Sequence, residues 1–361
     1  MSESIRHLPG ITASYVPTRR LRTHVLTSGD AGGRPVLFLH GNLASSTFWE
    51  ETMLALPASF HAAAPDQRGY GLTDPEPLDA PGGVGAWVDD AVALADALGW
   101  ERFHVVGHSL GGCVVWGLVA RYAERIISAT LVAPGPPCGF GGAHGERGET
   151  NFADGAGSGA GLVLPALVEA IANRRRGDAT DVFSPRSLMN RLYWKPPFRP
   201  AREENLLTAM LQVHLGDDHF PGDVRTSTNW PGFAPGRFGP INALAPLYND
   251  WVLPGLLDAA AKPPLLWVYG ADDAVVRNDS LSDVGTLGKL GMRADWPGDD
   301  VFPPQPLLTQ VTFALDQYAA HGGAVTRLVL PDTGHTPYLE RPIEFQQALD
   351  RHLSCGATGT W

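Results

Sequence analysis

The sequence predicts an α/β fold built on a mostly parallel sheet, with a long inserted segment. Three observations carry that reading. Apolar strand-like runs alternate with helical patterns from residue 12 to 135, the rhythm stops over residues 135–262, and it resumes from Pro264 onward. A chain of 361 residues has room for one large domain and an insertion.

In order, the candidate strands of the first half are Ala13–Pro17, Leu21–Thr27, Val36–His40, Phe60–Pro65, Phe103–Gly107 and Ile127–Val132. Helical patterns fall at Thr47–Leu56, Val84–Leu98 and Cys113–Arg125. The first two strands have no helix between them, so the sheet is expected to open with an antiparallel pair and continue parallel. After Pro134 the chain turns rich in Gly and Ala, then in Pro, Gly and aromatics, with helical patches at Leu162–Arg175 and Arg202–Leu215. A structureless loop of that length is uncommon in a compact domain, so residues 135–262 are expected to form a cap or lid over a core made of 1–134 and 263–361. The core resumes with the strand Pro264–Gly270, the helix Leu307–His321, the strand Ala324–Leu330 and the helix Ile343–Leu353. A second irregular insert, at about 277–305, follows a strand end, where function commonly sits.

Composition narrows the function classes. A hydrophobic fraction of 44% with 18% charged residues is that of a globular enzyme. The net charge of -11 argues against nucleic acid or an anionic membrane as partner, leaving a small-molecule substrate as the expectation. Cys113, Cys138 and Cys355 cannot all pair and lack metal-ligand spacing, so they are read as reduced, and no metal or cofactor is implied. The first ten residues lack a basic start followed by an apolar run, and no uncharged apolar run approaches transmembrane length. The cytoplasm is the expected location.

The chemistry centres on Gly107-His108-Ser109-Leu110-Gly111, which joins an apolar strand to a helical stretch. This is the G-x-S-x-G nucleophile elbow, a tight turn that presents the serine hydroxyl and leaves the next N–H free for an oxyanion. A chain of this composition contains the five-residue pattern about 0.2 times by chance, so the strand-turn-helix setting is what gives it weight. A serine hydroxyl needs a base oriented by a carboxylate. His335 follows the last strand and is the candidate base, while Asp273, or its neighbour Asp272, follows the strand ending at Gly270 and is the candidate acid. The order Ser, Asp, His is the one that accompanies the elbow.

Four blocks carry a family resemblance: His40-Gly41-Asn42; Asp66-Gln67-Arg68-Gly69-Tyr70-Gly71; the elbow; and Gly270–Val276 with Gly334-His335 and Glu340-Arg341-Pro342. With them the chain resembles the α/β-hydrolase fold superfamily, in the branch that contains esterases, lactonases, prolyl iminopeptidases, carbon-carbon hydrolases, haloalkane dehalogenases and epoxide hydrolases. The resemblance implies Asp273 as the acid and the backbone N–H groups of Asn42 and Leu110 as oxyanion donors. It also implies acyl transfer, because dehalogenases and epoxide hydrolases use a carboxylate nucleophile where this chain has Ser109.

A carboxylic ester or lactone of a small, largely apolar molecule is the expected substrate. A prolyl iminopeptidase-like aminopeptidase is the alternative, with Glu203, Glu204, Asp217, Asp218 and Asp223 available for a free amine, although Gly-Asn-Leu-Ala replaces the usual Gly-Gly-Pro-Gly loop. A slow-turnover binding protein or a lyase on the same scaffold is a further alternative. Asp66 and Arg68 are read as a structural turn with a buried ion pair, His40 as a brace of the oxyanion loop, and His108 as packing. The segment from His214 to His219 is read as a solvated loop and not a metal site. Trp49, Trp230, Phe233, Phe238, Tyr248 and Trp296 either line an apolar pocket or close the cap core.

Overall fold

The computed structural model describes residues 5–178, 181 and 183–355, with Cys355 described in its backbone alone. Eight strands form the central sheet: β1 Thr12–Pro17, β2 Arg22–Ser28, β3 Arg34–Leu39, β4 Phe60–Pro65, β5 Phe103–His108, β6 Ile126–Val132, β7 Leu265–Gly270 and β8 Val325–Leu330. Their spatial order is β1-β2-β4-β3-β5-β6-β7-β8. β2 runs antiparallel to both β1 and β4, and every pairing from β4 to β8 is parallel. The sheet is therefore mostly parallel, with one reversed strand making two antiparallel contacts rather than a single opening pair.

The central strands β5, β6 and β7 are buried along their whole length, which accounts for their uninterrupted apolar runs. Strands β1 and β8 form the edges and are mostly exposed, and there the sequence turns polar, with Ser14, Thr326 and Arg327. Helices α1 (Glu50–Ala55), α2 (Gly85–Ala97) and α3 (Leu110–Tyr122) connect the first half. The pattern at Thr47–Leu56 resolves into a 3-10 turn at Ser46–Trp49, capped by the Ser45 side chain, followed by α1.

Between β6 and β7 the described residues add no strand to the sheet. It forms short helices α4 (Pro165–Ala172), α5 (Pro185–Leu192), α6 (Glu203–Met210), α7 (Pro240–Ala243) and α8 (Val252–Asp258), with three two-stranded ribbons among them. Helix α8 packs along α3, where Arg121 lies 3.6 Å over the Trp251 ring. Helix α9 (Val284–Lys289) lies within the later irregular stretch, capped by Asp283. Then follow α10 (Leu307–Ala320), α11 (Pro337–Glu340) and α12 (Pro342–Cys355).

The aromatic side chains of the inserts face one another. Trp230 and Phe152 pack on Phe302, Trp296 donates to the Phe302 carbonyl at 2.9 Å, and the Tyr248 hydroxyl donates to Gly236 O at 3.0 Å. Phe302 is fully buried in this contact and fastens the stretch 277–305 to the segment 135–262. Trp49 is also fully buried, stacked on Tyr338 at 4.3 Å beneath the strand ends. These rings close cores, the second of the two readings open to them.

Candidate active site

The strands β3, β5, β7 and β8 end on the same edge of the sheet, and the residues singled out in the sequence follow those ends. Ser109 sits at the β5–α3 turn with φ 54 and ψ -114, a left-handed backbone that non-glycine residues rarely adopt. Its amide donates to Val132 O at 3.0 Å on β6, which pins the turn to the sheet. A serine at a helix N-cap normally accepts from the first turn, whereas this hydroxyl makes no cap bond. The flanking glycines are required by space. A Cβ at Gly107 would collide with Gly111 O, and one at Gly111 with Leu39 O.

His335 and Asp273 meet across the ends of β7 and β8. His335 Nδ1 donates to Asp273 Oδ2 at 2.8 Å, and both residues are buried. The other carboxylate oxygen accepts from the amides of Val275, 2.7 Å, and Val276, 3.0 Å. With Nδ1 carrying the hydrogen, Nε2 holds the lone pair that a base needs. The two loops are zipped together by Asp272 N to Thr333 O at 2.9 Å, and Gly270 is needed there because a Cβ would strike Gly334 O. Asp272 points outward and shares Lys195 with Asp332, each at 2.9 Å.

Glu340 braces the loop on both sides of His335. Its carboxylate accepts from Gly334 N and Lys195 N at 2.8 Å and from Thr336 N at 3.3 Å, while burial pushes its pKa up. His108 adds a further hold: Nε2–H donates to His335 O at 2.8 Å and the two rings lie 4.7 Å apart. Burial and the neighbouring His335 keep His108 well below the ordinary histidine pKa, hence neutral. The residue read as packing thus touches the backbone of the candidate base.

The loop after β3 places Asn42 beside the elbow, for a Cβ on Gly41 would lie 3.2 Å from Ser109 Cβ. His40 Nε2 accepts from Gln67 N at 3.0 Å, so Nδ1 carries the hydrogen and donates to Gly41 O at 2.8 Å. In a trans peptide the C=O and N–H point opposite ways, so holding Gly41 O directs the Asn42 N–H away from His40. Among the described residues, neither the Asn42 N–H nor the Leu110 N–H donates within the protein. Leu110 opens α3, whose N-terminus adds positive partial charge at that point. The Asn42 side chain accepts from Tyr70 OH at 2.7 Å.

The expected Asp66–Arg68 ion pair is absent, because the two side chains turn to different layers. Asp66 reaches back to β2 and the 3-10 turn, accepting from His24 at 2.8 Å, Ser46 Oγ at 2.6 Å and Leu72 N at 2.8 Å. Burial alone would raise its pKa, but these bonds outweigh it and bring Asp66 down to about 2. Arg68 instead forms a forked pair with Asp90 of α2 at 2.7 and 2.9 Å. Tyr70, Tyr193 and Glu340 were given no individual role by the sequence. Two of them stand inside quoted blocks, and Tyr193 carries no local signal.

Cys113 and Cys138 are free and buried, with burial pushing both thiols up to about 12. The Cys355 side chain lies outside the described residues. No group of three or more His, Cys, Asp or Glu side chains among the described residues could hold a metal, and His214 and His219 merely meet edge to face at 5.7 Å. No helix among the described residues is long and apolar enough to cross a membrane.

Residues 34–157 match the family model described as alpha/beta hydrolase fold. Over 129 residues the chain is 36% identical to epoxide hydrolase A of Mycobacterium tuberculosis, covering 35% of this chain and 40% of that protein. It is 32% identical over 124 residues to a carboxylesterase of Bacillus subtilis, covering 34% and 41%. These matches span about two fifths of the length of the relatives. A crystal structure described as a putative aryl esterase from Burkholderia cenocepacia superimposes with a TM-score of 0.58 at 18% identity, over 96% of this chain and 100% of that one. The chain has the alpha/beta hydrolase fold.

Proposed function

We propose that the protein is a serine hydrolase that cleaves a carboxylic ester or lactone of a small, largely apolar molecule, working without metal or cofactor. The observation that carries this reading is the buried His335–Asp273 pair at 2.8 Å, set at neighbouring strand ends beside the Ser109 turn. Ser109 Oγ attacks the substrate carbonyl carbon as His335 Nε2 takes its proton. The carbonyl oxygen becomes an oxyanion held by the N–H groups of Asn42 and Leu110. His335, its positive charge stabilised by Asp273, then protonates the leaving alkoxide, and the acyl group stays on Ser109. Water, deprotonated by His335, attacks the acyl carbon, and collapse returns the proton to Ser109 and releases the acid.

Similarity to relatives named as a carboxylesterase and an epoxide hydrolase supports a hydrolysis. The serine at position 109 supports acyl transfer over epoxide opening. The segment 135–262 is read as a cap over the site, and the acidic residues offered there for a free amine are largely committed elsewhere. Glu203 and Glu204 pair with Arg186, and Asp223 accepts the amides of Arg237 and Phe238. That disfavours the aminopeptidase. Turnover of a short-chain aryl ester, a lactone and a proline aryl amide tests the choice: ester or lactone hydrolysis is expected, and preference for the amide would overturn it.

A further inference from the structure

We propose that Tyr193, which belongs to the segment between β6 and β7, is a positioning residue that holds the oxyanion loop in its working shape from across the site. The inference rests on the acyl-transfer reading and extends it to a residue outside the core. The Tyr193 hydroxyl donates to two consecutive carbonyls of the loop after β3, Asn42 O at 2.8 Å and Leu43 O at 3.0 Å. Leu43 needs such a hold. Its φ is 48, a left-handed conformation that is unfavourable for a residue with a Cβ and persists only where the surroundings over-determine it.

The backbone of Tyr193 is fixed as well. Thr336, the residue after His335, donates its hydroxyl to Tyr193 O at 2.8 Å, and the nearby amides of Lys195 and Gly334 share Glu340. One residue therefore links the two loops, its backbone carbonyl held by the loop of the candidate base and its hydroxyl holding the loop of the candidate oxyanion donor. The ring is buried, packed near Phe48 and Trp194, and burial raises the hydroxyl pKa so that it remains a donor at any physiological pH. His40 fixes the peptide before Asn42 and Tyr193 the peptides after it, so the Asn42 N–H sits between two held points. Releasing the second leaves a bistable left-handed turn beside the donor.

The test is Tyr193→Phe in the full chain, with Tyr318→Phe as control, because Tyr318 also donates from a buried position to a backbone carbonyl, Pro263 O at 2.8 Å, far from the site. With an aryl ester, Y193F is expected to lower kcat about tenfold or more while KM stays within about twofold, since a donor displaced by a fraction of an ångström fails mainly in the transition state. The rate of fluorophosphonate labelling falls in parallel. Amide hydrogen exchange over residues 41–45 is expected to rise about tenfold in Y193F and to stay unchanged in Y318F. Unchanged exchange there, or a Y193F kcat equal to that of an active wild type, overturns the role of Tyr193. Absence of turnover by the wild type would instead overturn the acyl-transfer reading, with the exchange comparison still deciding Tyr193.

Discussion

His335 Nδ1 lies 2.8 Å from Asp273 Oδ2, and the second oxygen of that carboxylate is occupied by the amides of Val275 and Val276. The carboxylate is thus fixed in one orientation, and it fixes the histidine tautomer in turn. Asp272, one residue earlier, shares Lys195 with Asp332 at the surface.

The adjacent carboxylates are expected to differ sharply on substitution. Asp273→Asn leaves the shape intact but favours the wrong tautomer, which lowers kcat by about 10⁴-fold in a triad of this kind. Asp272→Asn is expected to change kcat by no more than about threefold, because an exposed ion pair contributes little. Steady-state kinetics on the two variants checks this, and the reverse ranking would move the acid by one position.

Much of this site was legible in the sequence, for identifiable physical reasons. Ser109 and Asp273 each follow an apolar strand and His335 follows the last strand, and the first two sit among glycines that the structure shows to be sterically required at 107, 111 and 270. Such constraints are local and leave a mark in sequence. The holds supplied by Tyr193, Tyr70 and His108 depend on contacts between residues 28 to 227 positions apart, which no local pattern encodes. Asp66 and Arg68 illustrate the same limit. Their charges suggested a pair, and only the tertiary arrangement of His24 and Asp90 decided their partners. Helix α5 was missed because its eight residues, PRSLMNRL, are polar on average and bury only some of their side chains.

Gly111→Ala is expected to damage the fold as well as the site. The added Cβ would meet the carbonyls of Leu39 and His40, both backbone atoms that cannot swing away. Overpacking of this kind costs about 1–3 kcal/mol or more, and denaturant titration reads it directly. A stability equal to wild type would mean that the elbow can open away from β3.

Acid is expected to destabilise the protein from just below pH 6.5. Burial holds His104 down to about 3 and His352 to about 4, so both stay neutral in the folded chain while the unfolded chain takes up protons below 6.5. Their contribution is fully present above 6.5 and is lost as pH falls toward those values, at up to about 1.4 kcal/mol per pH unit for each. Urea midpoints measured between pH 8 and pH 5 check this, and His104→Gln is expected to flatten the slope.

Asp66 acts at lower pH. Its folded pKa of about 2 lies below the ordinary value of 3.8, so its contribution is present above 3.8 and is lost as pH falls through 2. The displacement corresponds to about 2 kcal/mol at neutral pH. Asp66→Asn, which cannot accept from His24, Ser46 and Leu72 together, is expected to lose at least that much in a urea titration at pH 7, and an unchanged midpoint would show those bonds to be energetically idle.

The most direct test of the acyl-transfer reading is intact-mass spectrometry of wild type and Ser109→Ala after exposure to a fluorophosphonate. One adduct on the wild type, mapped to Ser109, with none on the folded variant and no ester turnover by it, is the expected result. Labelling that persists in S109A, or a wild type that hydrolyses esters while Ser109 stays unmodified, would contradict the assignment of Ser109 as the nucleophile.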